Sequence, residues 1–180
     1  MTRIISLLIT LFILSSCSEA SFNNQPEQIV SQDNRTVKIY TEQPSDFKPK
    51  IEVAACYSRF KDKYLLLQRS STNKDLPDIW GVPGGKVHRN ETKEEANIRE
   101  FFEETGVKLQ PEKIKYFKTI YIVDSQKSFI FHMFTYEFPE EPTIKLNPRE
   151  HQNYAWKTSS EAIQLPLIPG EEECFKLLHP

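Results

Sequence analysis

Cysteine is scarce in this chain: three occur in 180 residues. They stand far apart, at Cys17, Cys56 and Cys174, and no two of them have the short spacing of a zinc-binding motif. The apolar residues 53–57 predict a buried strand around Cys56, which makes a disulfide to Cys174 the weaker alternative. We therefore expect Cys56 and Cys174 to be free thiols.

Positive charge is not in excess either. Lys and Arg total 23 against 25 Asp and Glu, which gives a net charge of −2. A protein that binds DNA or RNA nonspecifically needs a basic field to attract the phosphate backbone. The composition therefore argues against nucleic acid as a partner. An anionic ligand would have to be captured by local contacts.

The chain has one long apolar run, at residues 4–14, directly after Arg3. It is too short to span a membrane, which takes about 20 apolar residues, and it is typical of a signal peptide. The following Leu-Ser-Ser-Cys, ending at Cys17, resembles a bacterial lipoprotein cleavage site. That resemblance predicts removal of residues 1–16, a lipid on Cys17 and a membrane-anchored protein facing the periplasm or the exterior. The alternative is an unprocessed segment on a cytoplasmic protein.

The rest of the chain predicts a tether and one domain. Residues 17–49 are polar and rich in Gln, Asn, Ser and Pro, which predicts a flexible tether. Residues 50–180 have the common size of one domain and show no internal repeat. Alternating patterns predict strands at 51–60, 64–69, 115–123, 128–138 and 154–157. Helices are expected at 93–105, at 159–164 and at 171–178, which together indicate an α/β fold.

Three carboxylates crowd one face of the first predicted helix. Glu100 lies three and four residues before Glu103 and Glu104, and like charges at these spacings oppose helix formation. An all-oxygen cluster suits a hard cation such as Mg²⁺, which is commonly shared with substrate phosphates. The alternative is a solvated acidic helix face.

The residues around this acidic face favour a binding site over a solvated helix face. Gly84 and Gly85 form a tight turn ahead of the helix, and residues 92–95 have the Ser/Thr-x-x-Glu form of a capping box. Gly106 is placed to end the helix. On the opposite face Ile98, Phe102 and Thr105, with Phe101 beside them, are expected to pack against a sheet.

Residues 85–107, GKVHRNETKEEANIREFFEETGV, resemble the Nudix box, G-x5-E-x7-R-E-U-x-E-E-x-G-U, where U is a bulky aliphatic residue. The matching positions are Gly85, Glu91, Arg99, Glu100, Glu103, Glu104, Gly106 and Val107. Phe101 departs from the pattern, since an aliphatic residue is usual there. His88 and Asn90 stand where many members carry Glu and Gly. So many fixed positions at fixed spacing make the match specific.

The resemblance implies an α/β/α sandwich with a mixed β-sheet and a Mg²⁺- or Mn²⁺-dependent pyrophosphohydrolase. Such enzymes cleave a nucleoside diphosphate linked to another moiety, usually by attack of water on phosphorus. By position, Glu100, Glu103 and Glu104 would bind the metal. Arg99 would orient them, while Glu91 and Gly106 would be structural.

Reaction chemistry also requires a general base, and the sequence offers Glu103, Glu150 and His151. His151, with Tyr154 and Trp156, also resembles the His-x-x-Tyr-x-Trp setting of GDP-mannose mannosyl hydrolases, which keeps a GDP-sugar hydrolase open as an alternative. Candidate substrate-binding residues are Gly85 in the box, together with Arg69 and Trp80, which lie close to it in sequence. A second alternative is a membrane-tethered module of the same fold that binds a nucleotide without turnover.

Overall fold

The computed structural model describes residues 27–30, 36–124 and 128–179. The predicted signal peptide and Cys17 lie outside this part of the chain. The strands are β1 (Glu27–Val30), β2 (Thr36–Tyr40), β3 (Ile51–Phe60), β4 (Lys63–Arg69), β5 (Trp80–Gly81), β6 (Gly84–Lys86), β7 (Lys115–Asp124), β8 (Ser128–Phe138) and β9 (His151–Lys157). The helices are α1 (Lys93–Thr105), α2 (Ser159–Ala162) and α3 (Glu171–Leu178), with a 3₁₀ turn at Pro111–Lys113.

The described strands form one mixed sheet. Its main order is β1-β2-β7-β8-β3-β4-β5, with β6 paired to β3 and β9 paired to β4. The two long central strands, β3 and β8, run parallel, from Ile51 opposite Phe129 to Phe60 opposite Phe138. The remaining pairings are antiparallel. This arrangement confirms the predicted α/β fold with a mixed sheet.

Alternation along β3 builds the layers on both sides of the sheet. Ala55 and Tyr57 pack with Phe175 of α3, whereas Cys56 packs with Phe101 of α1. Successive side chains of a strand point to opposite faces, so one strand supplies both cores. Because helices cover the two faces, β3 reads as a nearly continuous apolar run.

The predicted tether is wrong for residues 27–30 and 36–40, which form β1 and β2. Strand β2 pairs with β7 from Val37 opposite Asp124 to Tyr40 opposite Tyr121. Val37 is 1% exposed and Ile39 is 7% exposed, so the strand contributes to the core. The surrounding segment is polar, so the strand spacing of its two apolar residues, Val37 and Ile39, was overlooked. Both become buried when β2 pairs with the edge of β7.

The core face predicted for α1 is also partly wrong. Phe102 is 43% exposed, whereas Asn97, Phe101 and Thr105 are each fully buried. The helix is therefore rotated relative to the prediction, and Glu104 lies on its buried side. Both remaining cysteines are buried free thiols, as expected. Within the described ranges, no helix has the length and apolar character needed to cross a membrane.

Candidate functional site

Helix α1 begins and ends where its capping residues predict. The Thr92 side chain accepts a hydrogen bond from the Glu95 amide, and the Glu95 carboxylate accepts one from the Thr92 amide. At the other end Gly106 adopts a left-handed conformation with φ of 70° and donates its amide to the Phe102 carbonyl. Glycine takes this conformation without the strain that a side chain would add. The two caps fix the ends of α1 and so determine the direction in which its acidic side chains point.

The Gly84-Gly85 pair forms strand β6 and lies against the acidic side of α1. The Gly84 amide donates to Glu104 Oε2 at 2.9 Å. A side-chain carbon at Gly85 would overlap the carboxylate of Glu100. The absence of a side chain at Gly85 therefore lets the carboxylate of α1 approach the backbone of β6.

Arg99 contacts the three carboxylates at the solvent side of the site, those of Glu91, Glu100 and Glu103. Its Nη2 lies 2.7 Å from Glu91 Oε1 and its Nε lies 2.9 Å from Glu91 Oε2, which is a bidentate pair. Nη2 also donates to the Lys86 carbonyl at 2.9 Å. Nη1 lies 2.9 Å from Glu100 Oε1 and 3.3 Å from Glu103 Oε2. The hydrogen bonds from Arg99 lower the pKa of Glu91 to about 2, and the same pair raises the pKa of Arg99.

The pKa values of the inner carboxylates, Glu100 and Glu104, are shifted in the opposite direction. Glu104 is 5% exposed, and burial raises its pKa although the bond to His151 and the Gly84 amide oppose the rise. Burial likewise raises the pKa of Glu100 against the opposing effect of Arg99. Buried carboxylates that are short of compensating positive charge are sites where a cation would be stabilising.

The loop before β9 brings two further groups to Glu104. His151 Nε2 lies 2.8 Å from Glu104 Oε1, and both side chains are buried. Asn147 donates its side-chain amide to Glu150 Oε1 at 2.8 Å, and its carbonyl accepts the backbone amide of His151. The Asn147 backbone amide donates to the Glu104 carbonyl at 3.1 Å. The end of α1 therefore fixes the position of this loop.

Glu104, Glu150 and His151 each place one possible ligand atom within 4.8 Å of the other two. In the part of the chain that the structure describes, no other cluster of this kind is close enough to share a metal ion. Glu100 and Glu103, the other predicted ligands, stand outside the group, and the Glu103 side chain is 51% exposed. The two carboxylates suit Mg²⁺ or Mn²⁺, whereas an imidazole nitrogen is a ligand more typical of Zn²⁺ and other transition metals. The donor set therefore fits a divalent cation.

The two predicted substrate contacts outside the box are mainly structural. Arg69 Nε and Nη2 donate to the carbonyls of Asp75 and Leu76 and to the Asn73 side chain, which ties down the loop after β4. Trp80 is 8% exposed and belongs to the hydrophobic core. Arg69 also lines a cavity beside β6, and Trp80 is not part of the wall of that cavity.

That cavity has a volume of about 370 Å³ and adjoins β6. Its walls are mainly apolar, and Gly84, Gly85 and Lys86 form one side. The other side includes Glu171, which is 6% exposed. Sequence reasoning missed Glu171, because three consecutive glutamates at the start of α3 look alike and are typical of any helix N-terminus. It also missed the Gly84 amide, for which the Gly-Gly turn was the available signal.

Comparisons with known proteins agree with this geometry. The family model described as NUDIX domain matches residues 48–178. A CTP pyrophosphohydrolase from Escherichia coli (strain K12) is 31% identical over 124 residues, covering 67% of this chain and 85% of that protein. Phosphatase NudJ from the same strain is 26% identical over 135 residues, covering 72% and 85%. The crystal structure of a MutT NUDIX hydrolase from Burkholderia pseudomallei superimposes with a TM-score of 0.63 at 20% identity, covering 73% of this chain and 99% of that one.

Proposed function

The chain belongs to the NUDIX family of hydrolases acting on phosphorus anhydrides, and from this premise we propose a divalent-metal-dependent nucleotide pyrophosphohydrolase. It cleaves a nucleoside diphosphate linked to another moiety by attack of water on phosphorus. The observation that carries the proposal is the buried Glu104, which lies beside Glu150 and His151 and accepts a hydrogen bond from the amide of Gly84, a residue that also lines the cavity.

The metal-holding residues in this proposal are Glu104 and Glu150, with Glu100 and Glu103 along the same helix. When bound there, Mg²⁺ or Mn²⁺ supplies charge neutralisation for the pyrophosphate and lowers the pKa of coordinated water. Arg99 keeps Glu100 and Glu103 oriented through its Nη1 contacts at 2.9 and 3.3 Å. The buried carboxylates, whose pKa values are raised by burial, are matched by a cation of charge +2.

Proton acceptance is assigned to the exposed carboxylates Glu103 and Glu150. Both are open to solvent and therefore to an attacking water, whereas His151 Nε2 is already engaged by Glu104. A general base must reach the proton that it removes, so accessibility to the attacking water is the first requirement. His151 then has a positioning role, in which it fixes the rotamer of Glu104.

The relatives support a nucleotide as the substrate. One of them is a CTP pyrophosphohydrolase, which shows that a protein 31% identical to this chain acts on a nucleoside triphosphate. The test is hydrolysis by the full chain with Mg²⁺ or Mn²⁺ of nucleoside triphosphates, ADP-ribose, NAD, dinucleoside polyphosphates and GDP-sugars. Release of a nucleoside monophosphate that depends on the metal is the expected result.

Two variants and a matched control make this test specific. Glu103→Gln and Glu104→Gln are expected to lose on the order of 100-fold in kcat, the usual cost of removing a group that acts on transition-state charge. Glu94→Gln removes an exposed carboxylate from the first turn of the same helix and should leave the rate unchanged. Metal binding without turnover on every substrate would favour the binding module, and turnover confined to GDP-sugars would favour the GDP-sugar hydrolase.

We also propose that the protein is anchored to a membrane by a lipid on Cys17. The support is the sequence alone: Arg3, the apolar run at 4–14 and the Leu-Ser-Ser-Cys that ends at Cys17. Incorporation of radiolabelled palmitate in bacterial cells, with Cys17→Ala as the control, tests this. Label that persists in Cys17→Ala would contradict it.

A further inference from the structure

The first half of β7 is an open edge of the sheet. Strand β2 pairs with β7 only at residues 121–124. Among the described residues, no strand pairs with residues 115–120 on the side of β7 that faces away from β8. The register of β7 against β8 also shifts between Tyr116 and Lys118, which leaves Phe117 as the extra residue of a β-bulge. This half of the strand therefore forms part of the protein surface.

Two large aromatic side chains are exposed at this edge. Tyr116 is 49% exposed and Phe117 is 37% exposed. Lysines and a bulge are common protections of an open strand edge, and Lys115 and Lys118 fit that purpose. Exposed aromatic residues do not, because apolar surface at an open edge favours aggregation. Edge protection therefore accounts for the lysines and leaves the aromatic pair unexplained.

The surroundings of the aromatic pair are basic. Residues 108–118 contain four lysines and one acidic residue, Glu112, which gives this segment a net charge of +3 in a protein of net charge −2. The Lys93 ammonium group lies 4.1 Å from the centre of the Tyr116 ring, which is a cation–π contact. We define the basic-aromatic surface as Lys93 together with residues 113–118.

The basic-aromatic surface continues into a groove on the α3 side of the sheet. The groove has a volume of about 640 Å³. It is lined, among others, by Lys113, Lys115 and Phe117. Its acidic residues are Glu112 and Glu137, and the Glu137 carboxylate lies 3.4 Å from Arg59 Nη2. Two exposed lysines therefore stand beside an aromatic ring, with room for a small anionic group such as a phosphate.

The amino end of β1 points towards the same end of the sheet. Strand β1 is antiparallel to β2, and β2 is antiparallel to β7, so β1 and β7 run in the same direction. Strand β7 begins at Lys115 and β1 begins at Glu27. The chain that precedes Glu27 is therefore joined to the sheet on the side where the basic-aromatic surface lies.

The length of the preceding chain agrees with this placement. Pairing sets Glu27 opposite Ile39 and Ile39 opposite Ile122. Strand rise and strand spacing then put Glu27 roughly 20 Å from Phe117. Residues 17–26 can span up to about 35 Å when fully extended. A lipid carried at residue 17 can therefore lie in the same membrane plane as the basic-aromatic surface.

We propose that the basic-aromatic surface docks on a bilayer that contains anionic lipids. Tyr116 and Phe117 insert at the level of the headgroups, where aromatic rings with one apolar and one wet side are stable. The lysines bind the phosphates of the lipids. Docking goes beyond the proposed hydrolysis and gives the domain a fixed orientation on the membrane, which the proposed lipid on Cys17 alone does not supply.

A nucleic acid is the other polyanion that a basic surface with aromatic residues attracts. The rest of the protein gives no basic field to support such a partner, since the net charge of the whole chain is −2. The bilayer is favoured because the amino end of β1 directs the proposed anchor to this side of the sheet.

Fluorescence quenching by brominated lipids tests where the protein meets the bilayer. The full chain carries Cys17→Ser, so that no lipid is attached, and is mixed with vesicles of phosphatidylglycerol or, as the neutral control, phosphatidylcholine. In Phe117→Trp, quenching beyond that of the native Trp80 and Trp156 is expected with phosphatidylglycerol only. Tyr154→Trp is the matched control, because Tyr154 is 40% exposed on β9, at the other side of the sheet. Its added tryptophan should not be quenched.

Charge removal tests the lysines. Lys113→Gln with Lys115→Gln should weaken binding to phosphatidylglycerol vesicles by roughly 25-fold, at about fivefold for each lysine close to an anionic surface. Lys50→Gln with Lys74→Gln removes the same charge from two exposed lysines, one before β3 and one after β4, and should leave binding unchanged.

Three outcomes would overturn the proposal. The first is equal quenching in Phe117→Trp and Tyr154→Trp, and the second is an equal effect of the two lysine pairs, as expected if the apolar run at 4–14 alone held the chain on the vesicles. The third is tighter binding of the basic-aromatic surface to a single-stranded oligonucleotide than to the vesicles, which would assign it to nucleic acid. None of these readouts requires turnover, so docking and hydrolysis stand or fail separately.

Discussion

Glu91 and Glu171 are the same side chain in opposite electrostatic situations. Glu91 forms a bidentate pair with Arg99, and its pKa is about 2. Glu171 is buried without a cation among the described residues, and its pKa is about 7. Glu104 lies between these cases, since it is buried but bonded to His151 and the Gly84 amide. The difference between them is the partner: the Arg99 guanidinium keeps Glu91 ionised, whereas burial without a cation favours the protonated form of Glu171.

The largest change in stability is expected for Glu171→Gln. The pKa of Glu171 is raised above its unfolded value of about 4.3, so the wild-type protein binds more protons folded than unfolded between about pH 4 and 7. Its stability therefore falls as pH rises through this window and levels off above it. Removing the ionisable group should raise the free energy of unfolding at pH 8 by up to roughly 3 kcal/mol. Urea unfolding at pH 5 and pH 8 measures this.

The control for Glu171→Gln is Glu172→Gln, whose partly exposed carboxylate pairs with Lys176. Its effect on the unfolding free energy should be small at both pH values. A Glu171→Gln protein that loses stability at pH 8 would show that the buried carboxylate is stabilised by contacts that outweigh its desolvation.

His151→Leu leaves the Glu104 carboxylate buried without its imidazole partner. Hydrogen-bond partners of metal-holding carboxylates typically contribute about 10–100-fold, so we expect a loss of that order in metal affinity and in kcat/KM. Titration with Mn²⁺ followed by electron paramagnetic resonance measures the affinity independently of turnover. His179→Asn removes an imidazole from the end of α3 and should match wild type. Unchanged Mn²⁺ affinity in His151→Leu would rule out its positioning role.

Gly85→Ala alters the distance between β6 and the Glu100 carboxylate. The added carbon overlaps that carboxylate, so the Glu100 side chain, which Arg99 Nη1 holds at 2.9 Å, must move. Overpacking of this kind typically costs about 1–3 kcal/mol of stability. Denaturant unfolding should detect it, together with weaker metal binding. Full stability and full metal affinity in Gly85→Ala would show that Glu100 moves freely.

The smallest expected effect is that of Glu91→Gln. The pKa of Glu91 is lowered, so its contribution to stability is present above about pH 4.3 and is lost as pH falls towards 2. The variant should be less stable than wild type by about 1 kcal/mol at pH 6, given partial exposure to solvent, and equal to it near pH 2. Unfolding midpoints across this range measure the slope. A difference that persists at pH 2 would point to packing as the cause.

Local signals in the sequence were sufficient for much of this fold. The capping box at Thr92, the end of α1 at Gly106 and the strands Ile51–Phe60 and Ser128–Phe138 were predicted because neighbouring residues determine them. The face of α1 that packs on the sheet was not predicted correctly. Phe101 and Phe102 are equally apolar, and only packing against the sheet determines which of them is buried. For the same reason Glu103 and Glu104 looked equivalent, although one is exposed and the other buried.

Contacts distant in sequence account for the remaining errors. Strand β2 forms because it can pair with the edge of the sheet at β7. The pKa of Glu171 is raised because its side chain is buried beside Tyr57 and a cavity. Neither neighbour is visible from the local sequence. The grouping of Glu150 and His151 with Glu104 likewise depends on the hydrogen bonds of Asn147 to the end of α1.

Val37 gives strand β2 a mechanical role. It lies on the wall of the cavity, and β2 is joined to the sheet through its ladders with β1 and β7. A load applied to the chain ahead of β2 would reach these hydrogen bonds and the cavity wall before it reached the central strands. If the proposed lipid on Cys17 anchors the protein, tension on the chain would therefore reach the wall of this cavity before the central strands.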